Sequence, residues 1–262
     1  MRLIFGASGA ATDSPAGGGG GDNGGSAGLT DEQLADVYAY PGAEAGTADG
    51  VWWRVNMITS LDGAGVDANG HSAGFGSEAD HRVFHLLRSL CDVVVVGAGT
   101  ARAEEYDLAR HSPLVVVSGR GRLPESVAEA FNDSGAEGDV LLATCESAAP
   151  EQIASERDFL GFDNVLVCPG RRVDARWLRG ELAARGFARV LAEGGPSLLG
   201  DQFAAGVVDE LCLTISPMVA GGEGGRIVAG AELGDGVRLN LHSVVESDGM
   251  LLTRWVPSPK QR

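Results

Sequence analysis

Two glycine-rich turns carry the first chemical signal in the chain. They are Val96-Gly97-Ala98-Gly99-Thr100-Ala101 and Leu191-Ala192-Glu193-Gly194-Gly195-Pro196-Ser197-Leu198-Leu199. Each follows a short apolar run and opens a helical pattern. Glycines at such a turn let backbone N–H groups approach an anion, and the N-terminus of the following helix favours a phosphate. Pro196 suits the first helical turn, and Ser197 adds a hydroxyl donor. Two such turns in one chain point to a dinucleotide. The G-x-G-x-x-G fingerprint is not met, because Gly97-Ala98-Gly99 is followed by Thr100, Ala101 and Arg102, and no Gly-Lys-Ser/Thr of a phosphate-binding loop occurs. A third loop bears on which dinucleotide. Ser118-Gly119-Arg120-Gly121-Arg122 follows the run Val115-Val116-Val117. A serine and two arginines suit a 2′-phosphate, where an acidic residue would suit a free ribose hydroxyl. NADP is therefore expected over NAD, with a plain solvated basic loop as the alternative.

One helix adds further candidates. His81, Phe84, His85 and Arg88 share a face off the main apolar stripe, and a guanidinium there can grip a phosphate bidentately. A surface ion pair is the alternative reading of Arg88. His81 and His85 have the i, i+4 spacing of a zinc pair, but the intervening residues lack the glutamate of H-E-x-x-H, so no metal is expected.

These residues need a frame. Leu29 to Tyr40 reads as a short helix capped by Thr30 or Asp31 and ended by Pro41-Gly42. Val51 to Ile58 reads as a strand, with Trp52 and Trp53 as packing residues. Ser77 to Leu90 reads as a helix capped by Ser77, with Ala79, Val83, Leu86, Leu87 and Leu90 as its stripe. The unbroken run Val93-Val94-Val95-Val96 predicts a strand buried on both faces, as in a parallel sheet. Similar strands recur at Leu114–Ser118, Val140–Thr144, Asn164–Cys168 and Arg189–Ala192. Helical patterns near 125–131, 150–159, 174–185 and 196–205 lie among them, an α/β alternation. The ending differs: Asp209–Ser216, Val237–Glu246 and Met250–Pro257 have no room for crossover helices. The fold class expected is α/β, with a mostly parallel sheet and antiparallel edge strands. Leu211, Leu213 and Ile215 alternate towards a core, and that strand's edge is a candidate for pairing across a dimer.

The 262 residues carry 20 Lys plus Arg against 36 Asp plus Glu, a net charge of −16. Such a field argues against nucleic acid as a general partner. Ten of the 40 glycines fall in residues 1–28, which read as a disordered tail. Residues 29–48 read as a helical segment with a linker, and 49–258 as the main domain. No signal peptide or membrane span is expected. Cys91, Cys145, Cys168 and Cys212 form no C-x-x-C, and reduced buried thiols in a cytoplasmic protein are expected.

Taken together, several motifs in this order resemble the reductase domain of riboflavin biosynthesis. They are Asn56-Met57-Ile58-Thr59-Ser60-Leu61-Asp62-Gly63, Ser77-Glu78-Ala79-Asp80, Leu86-Leu87-Arg88, Asp92 through Glu104, Glu193 through Leu199 and Val208-Asp209-Glu210-Leu211. The resemblance covers about residues 50–256. It implies the dihydrofolate reductase fold, a homodimer, and NADPH-dependent reduction of the ribosyl group of 5-amino-6-(5-phosphoribosylamino)uracil to ribityl. The companion deaminase motif, H-x-E with P-C-x-x-C, is absent from the sequence, so deamination is not expected. By the resemblance, Thr59, Gly97, Gly99, Thr100, Ser118, Arg120, Gly194, Gly195, Ser197 and Leu198 are cofactor positions. Asn56, Ser72 and Arg88 are substrate positions. Asp62, Glu104 and Glu193 are the carboxylates at the chemistry, with Glu104, Asp62 or a water as the proton source. Asn56 stands where a lysine is frequent in that family, and Gly74 where an aromatic residue offers a stacking surface. A different pterin- or pyrimidine-like substrate such as dihydrofolate is the alternative reading. A non-catalytic NADP-binding protein is another.

Overall fold

The computed structural model describes residues 1–6, 28–42, 47–68, 70–104, 106, 108, 112–134, 140–222 and 224–258. Ten strands form one sheet: β1 (Arg2–Gly6), β2 (Trp52–Thr59), β3 (Val93–Gly97), β4 (Leu114–Val117), β5 (Val140–Cys145), β6 (Val165–Cys168), β7 (Arg189–Ala192), β8 (Glu210–Ile215), β9 (Leu239–Ser247) and β10 (Met250–Pro257). Their spatial order is β1-β9-β10-β8-β2-β7-β3-β4-β5-β6. The seven strands from β8 to β6 run parallel, and β10, β9 and β1 extend the sheet antiparallel. The helices are α1 (Asp31–Val37), α2 (Glu78–Leu90), α3 (Ala98–Ala103), α4 (Glu125–Ser134), α5 (Pro150–Leu160), α6 (Ala175–Ala184) and α7 (Pro196–Ala205). This is the expected mostly parallel α/β sheet with antiparallel edge strands, flanked by helices.

The valine run explains the layering. Val94 and Val96 pack with Leu34, Val83, Leu87 and Val127 from α1, α2 and α4 on one face. Val93 and Val95 pack with Leu178, Leu182, Leu199 and Phe203 from α6 and α7 on the other. Side chains alternate across a strand, so an all-apolar run needs cover on both sides. Ser77 caps α2 by accepting a hydrogen bond from the Asp80 N–H.

Three expectations change. Arg2–Gly6 is not part of a tail: it is an edge strand paired antiparallel with β9. Its Leu3-Ile4-Phe5 run is short, and only the distant partner makes it a strand. Residues 7–27 of the expected tail lie outside the described residues. Second, α1 is built into the main core rather than joined by a linker, with Leu34 and Tyr38 each 1% exposed. Glu210, buried beneath it, binds Arg54 at 2.9 Å and Arg254 at 2.5 Å. Arg54 also donates to the carbonyls of Tyr38 and Ala39, and Arg254 to that of Val37, at the end of α1. Third, β8 lies between β2 and β10, so neither of its edges is free to pair with a second copy.

Candidate active site

At the C-terminal ends of the parallel strands lies a cavity of about 830 Å³. Such ends are where open α/β sheets hold ligands. The two glycine turns form its floor and abut. The Gly97 N–H donates to the Gly194 carbonyl at 2.9 Å, and the Glu193 N–H donates to the Val95 carbonyl at 2.9 Å. Gly194 has φ +95°, a conformation open to glycine. A Cβ on Gly195 would collide with the Thr100 hydroxyl, whereas one on Gly99 would meet nothing within 4 Å. The first glycine is needed for close approach and the second fronts open space. α7 begins at Pro196 directly after this turn, so its unpaired N–H groups face the cavity. Gly97, Gly99, Thr100, Gly194, Gly195, Ser197 and Leu198 all line it.

Arg88 and Glu193 form one wall. Arg88 Nε and Nη2 donate to the two Glu193 oxygens at 2.9 and 2.7 Å, a bidentate fork. The side chains are 16% and 3% exposed. The guanidinium carbon lies 4.2 Å from the centroid of the Phe84 ring and 4.8 Å from that of Tyr106. Burial pushes the Glu193 pKa up, and the Arg88 fork opposes that rise. This corrects the expectation that Arg88 grips a phosphate bidentately. Its fork is already filled by a carboxylate 105 positions away in sequence, which leaves Nη1 for a ligand.

Glu104 closes α3 and lines the cavity; its Oε1 accepts from the Ser72 N–H at 2.8 Å and from the Ser72 hydroxyl at 3.0 Å. Asn56, on β2, also lines the cavity. Gly74 sits in a 3-10 turn over Ala73–Phe75, where a Cβ would lie 3.0 Å from Asp67 Oδ2, so an aromatic side chain is not accommodated without movement.

Other expected site residues lie elsewhere. Asp62 is outside the cavity lining and holds two loops together. Its Oδ1 accepts from the Ser60 hydroxyl at 2.6 Å and the Ala220 N–H at 3.0 Å, and Oδ2 accepts from the Gly221 N–H at 2.8 Å. The Ser60 hydroxyl and these amides hold its pKa down to about 2. A carboxylate so committed anchors the two loops to each other. Thr59 is buried, its hydroxyl donating to the carbonyls of Ser60 and Ala64, and it does not line the cavity. Ser118 is also buried; its Oγ accepts from the Arg122 N–H at 3.2 Å and shapes the turn. Val117 and Gly119 from that turn reach the cavity, but Arg120 does not line it.

Three lining residues escaped the sequence reading. Arg171 and Arg172, in the loop after β6, line the cavity. Arg172 pairs at 3.1 Å with Asp201 on α7, an exposed pair. An adjacent arginine pair in an acidic chain is the same signal that singled out Arg120 and Arg122. Tyr106 is the third: it is 8% exposed, lines the cavity, and its hydroxyl has no hydrogen-bond partner among the described residues.

Comparisons with known proteins agree on the family. A family model for the RibD C-terminal domain matches residues 51–252. The 2,5-diamino-6-ribosylamino-4(3H)-pyrimidinone 5′-phosphate reductase of Methanothermobacter thermautotrophicus is 34% identical over 200 residues, 71% of this chain and 89% of that protein. The protein of the same name from Archaeoglobus fulgidus is 29% identical over 194 residues, 68% of this chain and 85% of that one. In structure, a pyrimidine reductase-like protein from Corynebacterium diphtheriae shares the fold at a TM-score of 0.72 and 23% identity, covering 88% of this chain and all of that one. The abutting glycine turns, the Arg88–Glu193 wall and the matched span lead to one conclusion: this chain belongs to the RibD C-terminal domain family of riboflavin biosynthesis.

Proposed function

We propose that this chain is an NADPH-dependent reductase that converts the ribosyl group of a 5-amino-6-(phosphoribosylamino)pyrimidine to ribityl. The observation that carries this reading is a single cavity joining a glycine cradle to a wall of buried polar groups. The cradle fits a dinucleotide, since Gly195 admits no side chain and Gly99 fronts open space. Gly97, Gly99, Thr100, Gly194, Gly195, Ser197 and Leu198 would hold its phosphates. Arg171 and Arg172, which line the cavity, favour a 2′-phosphate on the cofactor. When bound, NADPH supplies a hydride.

The remaining chemistry belongs to the chain. The Arg88–Glu193 pair, clamped between Phe84 and Tyr106, is a rigid feature that orients substrate. Its Nη1, without a hydrogen-bond partner among the described residues, offers a donor to a phosphate or ring oxygen. Glu104, fixed by Ser72, is the group suited to hold or relay the proton that a ribityl product requires. A homodimer in the cytoplasm accompanies this reading, and the four buried free cysteines fit a reducing compartment.

The test is NADPH oxidation with the phosphoribosylamino-pyrimidine and with dihydrofolate, repeated with NADH. Turnover of the former with a clear NADPH preference is expected. Dihydrofolate turnover alone would favour the alternative reductase, and cofactor binding with no turnover a non-catalytic protein; the named relatives favour neither.

A further inference from the structure

β5 and β6 each end on a cysteine, and the two stand opposite one another. Cys145 and Cys168 are register partners across this parallel pair. Partners in adjacent strands point to the same face, and neighbouring strands lie about 4.7–4.9 Å apart. That spacing falls inside the Cα separation that a disulfide spans, about 4.4–6.8 Å. Both thiols are free, and they are 0% and 1% exposed. Each is followed directly by exposed residues, Glu146-Ser147 and Pro169-Gly170. β6 is the last strand of the sheet and pairs only with β5 among the described residues. Burial pushes the Cys168 thiol up, so its reaction awaits an opening of this edge. Local opening of an edge strand lets a small oxidant reach a thiol that lies one residue below the surface.

The pair is bonded to loops that line the cavity. Cys145 Sγ lies 3.3 Å from the Ser147 hydroxyl, which donates to the Arg171 carbonyl at 2.9 Å. Cys145 Sγ also lies 3.9 Å from the Gly119 carbonyl oxygen. Cys168 Sγ accepts from the Asp174 N–H at 3.3 Å. Gly119, Arg171, Arg172 and Val173 all line the cavity. Closing an S–S bond would draw the two Cβ atoms from roughly the strand spacing to about 3.8 Å. The strand ends would be pinched by about 1 Å, and both sulfurs would turn away from Ser147 and Asp174. A disulfide formed against such resistance is readily reduced, which suits a regulatory bond. Resting on the reductase reading for its cofactor, we propose that Cys145 and Cys168 form a reversible disulfide that lowers the affinity for NADPH. The oxidant is a peroxide. One thiol, as its thiolate, attacks a peroxide oxygen: the O–O bond breaks, the sulfur becomes a sulfenic acid and one water leaves. The second thiol attacks that sulfur: the S–O bond breaks, the S–S bond forms and a second water leaves. Two thiols and one hydrogen peroxide thus give one disulfide and two waters, with two electrons passing from sulfur to oxygen. A dithiol reductant reverses the change.

The experiment treats the full chain with hydrogen peroxide and divides it. One portion is digested without reduction and mapped by mass spectrometry. The other is titrated with NADPH, followed by nucleotide fluorescence, before and after dithiothreitol. The map should hold a Cys145–Cys168 cross-linked peptide, two hydrogens lighter than its parts. The Kd for NADPH should rise about tenfold or more, the scale of a displacement of about 1 Å at a binding site, and return to the untreated value after dithiothreitol. Cys168→Ser, whose hydroxyl keeps an acceptor for the Asp174 N–H, should bind NADPH before treatment and ignore peroxide. If that variant does not fold, the wild-type map and its reversal decide the question alone. Absence of the cross-link, a Kd that stays put with the cross-link formed, or a folded Cys168→Ser that still loses affinity overturns the thiol pair and leaves the reductase reading standing. Untreated protein that binds no NADPH overturns both.

Discussion

Removing the Arg88 guanidinium tests the wall of the cavity most directly. Arg88→Met keeps the aliphatic stem and deletes the fork that holds Glu193. The Glu193 side chain, 3% exposed, is left with a charge and no cation. One-sided loss of a buried pair costs about 3–5 kcal/mol. For a chain of this size that is about 6–20 °C in Tm. The loss depends on pH, with a sign set by Glu193. Burial raises its folded-state pKa and Arg88 opposes that, so the variant's value rises further. A carboxyl whose folded pKa lies above its unfolded value binds the extra proton in the folded state. Stability is then regained as pH falls through the folded value. The deficit should be largest near pH 8 and shrink towards pH 5, relative to the reference carboxyl of about 4.3. Arg88→Met/Glu193→Leu, which removes both charges, should recover most of the loss. Urea unfolding followed by tryptophan fluorescence at several pH values measures all three. A deficit below about 1 kcal/mol, one that ignores pH, or a double variant worse than the single would refute the argument, since each is the signature of an exposed or unimportant pair.

Gly195→Ala places a methyl group against the Thr100 hydroxyl; KM for NADPH should rise about tenfold or more, with about 1–3 kcal/mol lost to overpacking, and an unchanged KM would count against the cradle. Asp62→Asn should keep kcat within about threefold of wild type, whereas a hundredfold loss would return Asp62 to the chemistry. Its folded pKa of about 2 is depressed, so its stabilisation is present above the unfolded value of about 3.9 and fades as pH falls towards 2. The variant's acid-unfolding profile should therefore flatten in that window. Glu210→Leu strands Arg54 and Arg254 in the core and should cost at least about 3–5 kcal/mol, read by chemical unfolding; a smaller loss would mean that water reaches the pair.

The parts of the molecule that local pattern dictates were readable in the sequence. The four valines of β3 could only be a strand covered on both faces, and Ser77 and Pro196 marked the starts of α2 and α7 within a residue. The glycine turns were recognisable from their place between an apolar run and a helical pattern, and at Gly195 the approach of Thr100 leaves no room for a side chain. What escaped depends on partners distant in the chain. Arg2–Gly6 becomes a strand only against β9, some 240 residues later. Arg88 was visible as a cation on a helix face, but the direction of its fork is set by Glu193 at the end of β7. Asp62 shares a motif with Thr59, yet its role is decided by the amides of Ala220 and Gly221. Arg171 and Arg172 reach the cavity because the loop after β6 turns back towards α7, a tertiary fact with no local period.

The seven residues of α1 are too few to persist alone, since isolated helices shorter than about 12–15 residues are marginal in water. Yet the carbonyls at its C-terminal end are held by Arg54 and Arg254, and both arginines are held by Glu210 at the start of β8. A helix wired in this way cannot fray independently of the sheet. Its amides, Leu34 and Tyr38 among them, should exchange their hydrogens only when the central strands open, which places a short terminal element in the slowest-exchanging unit of the protein.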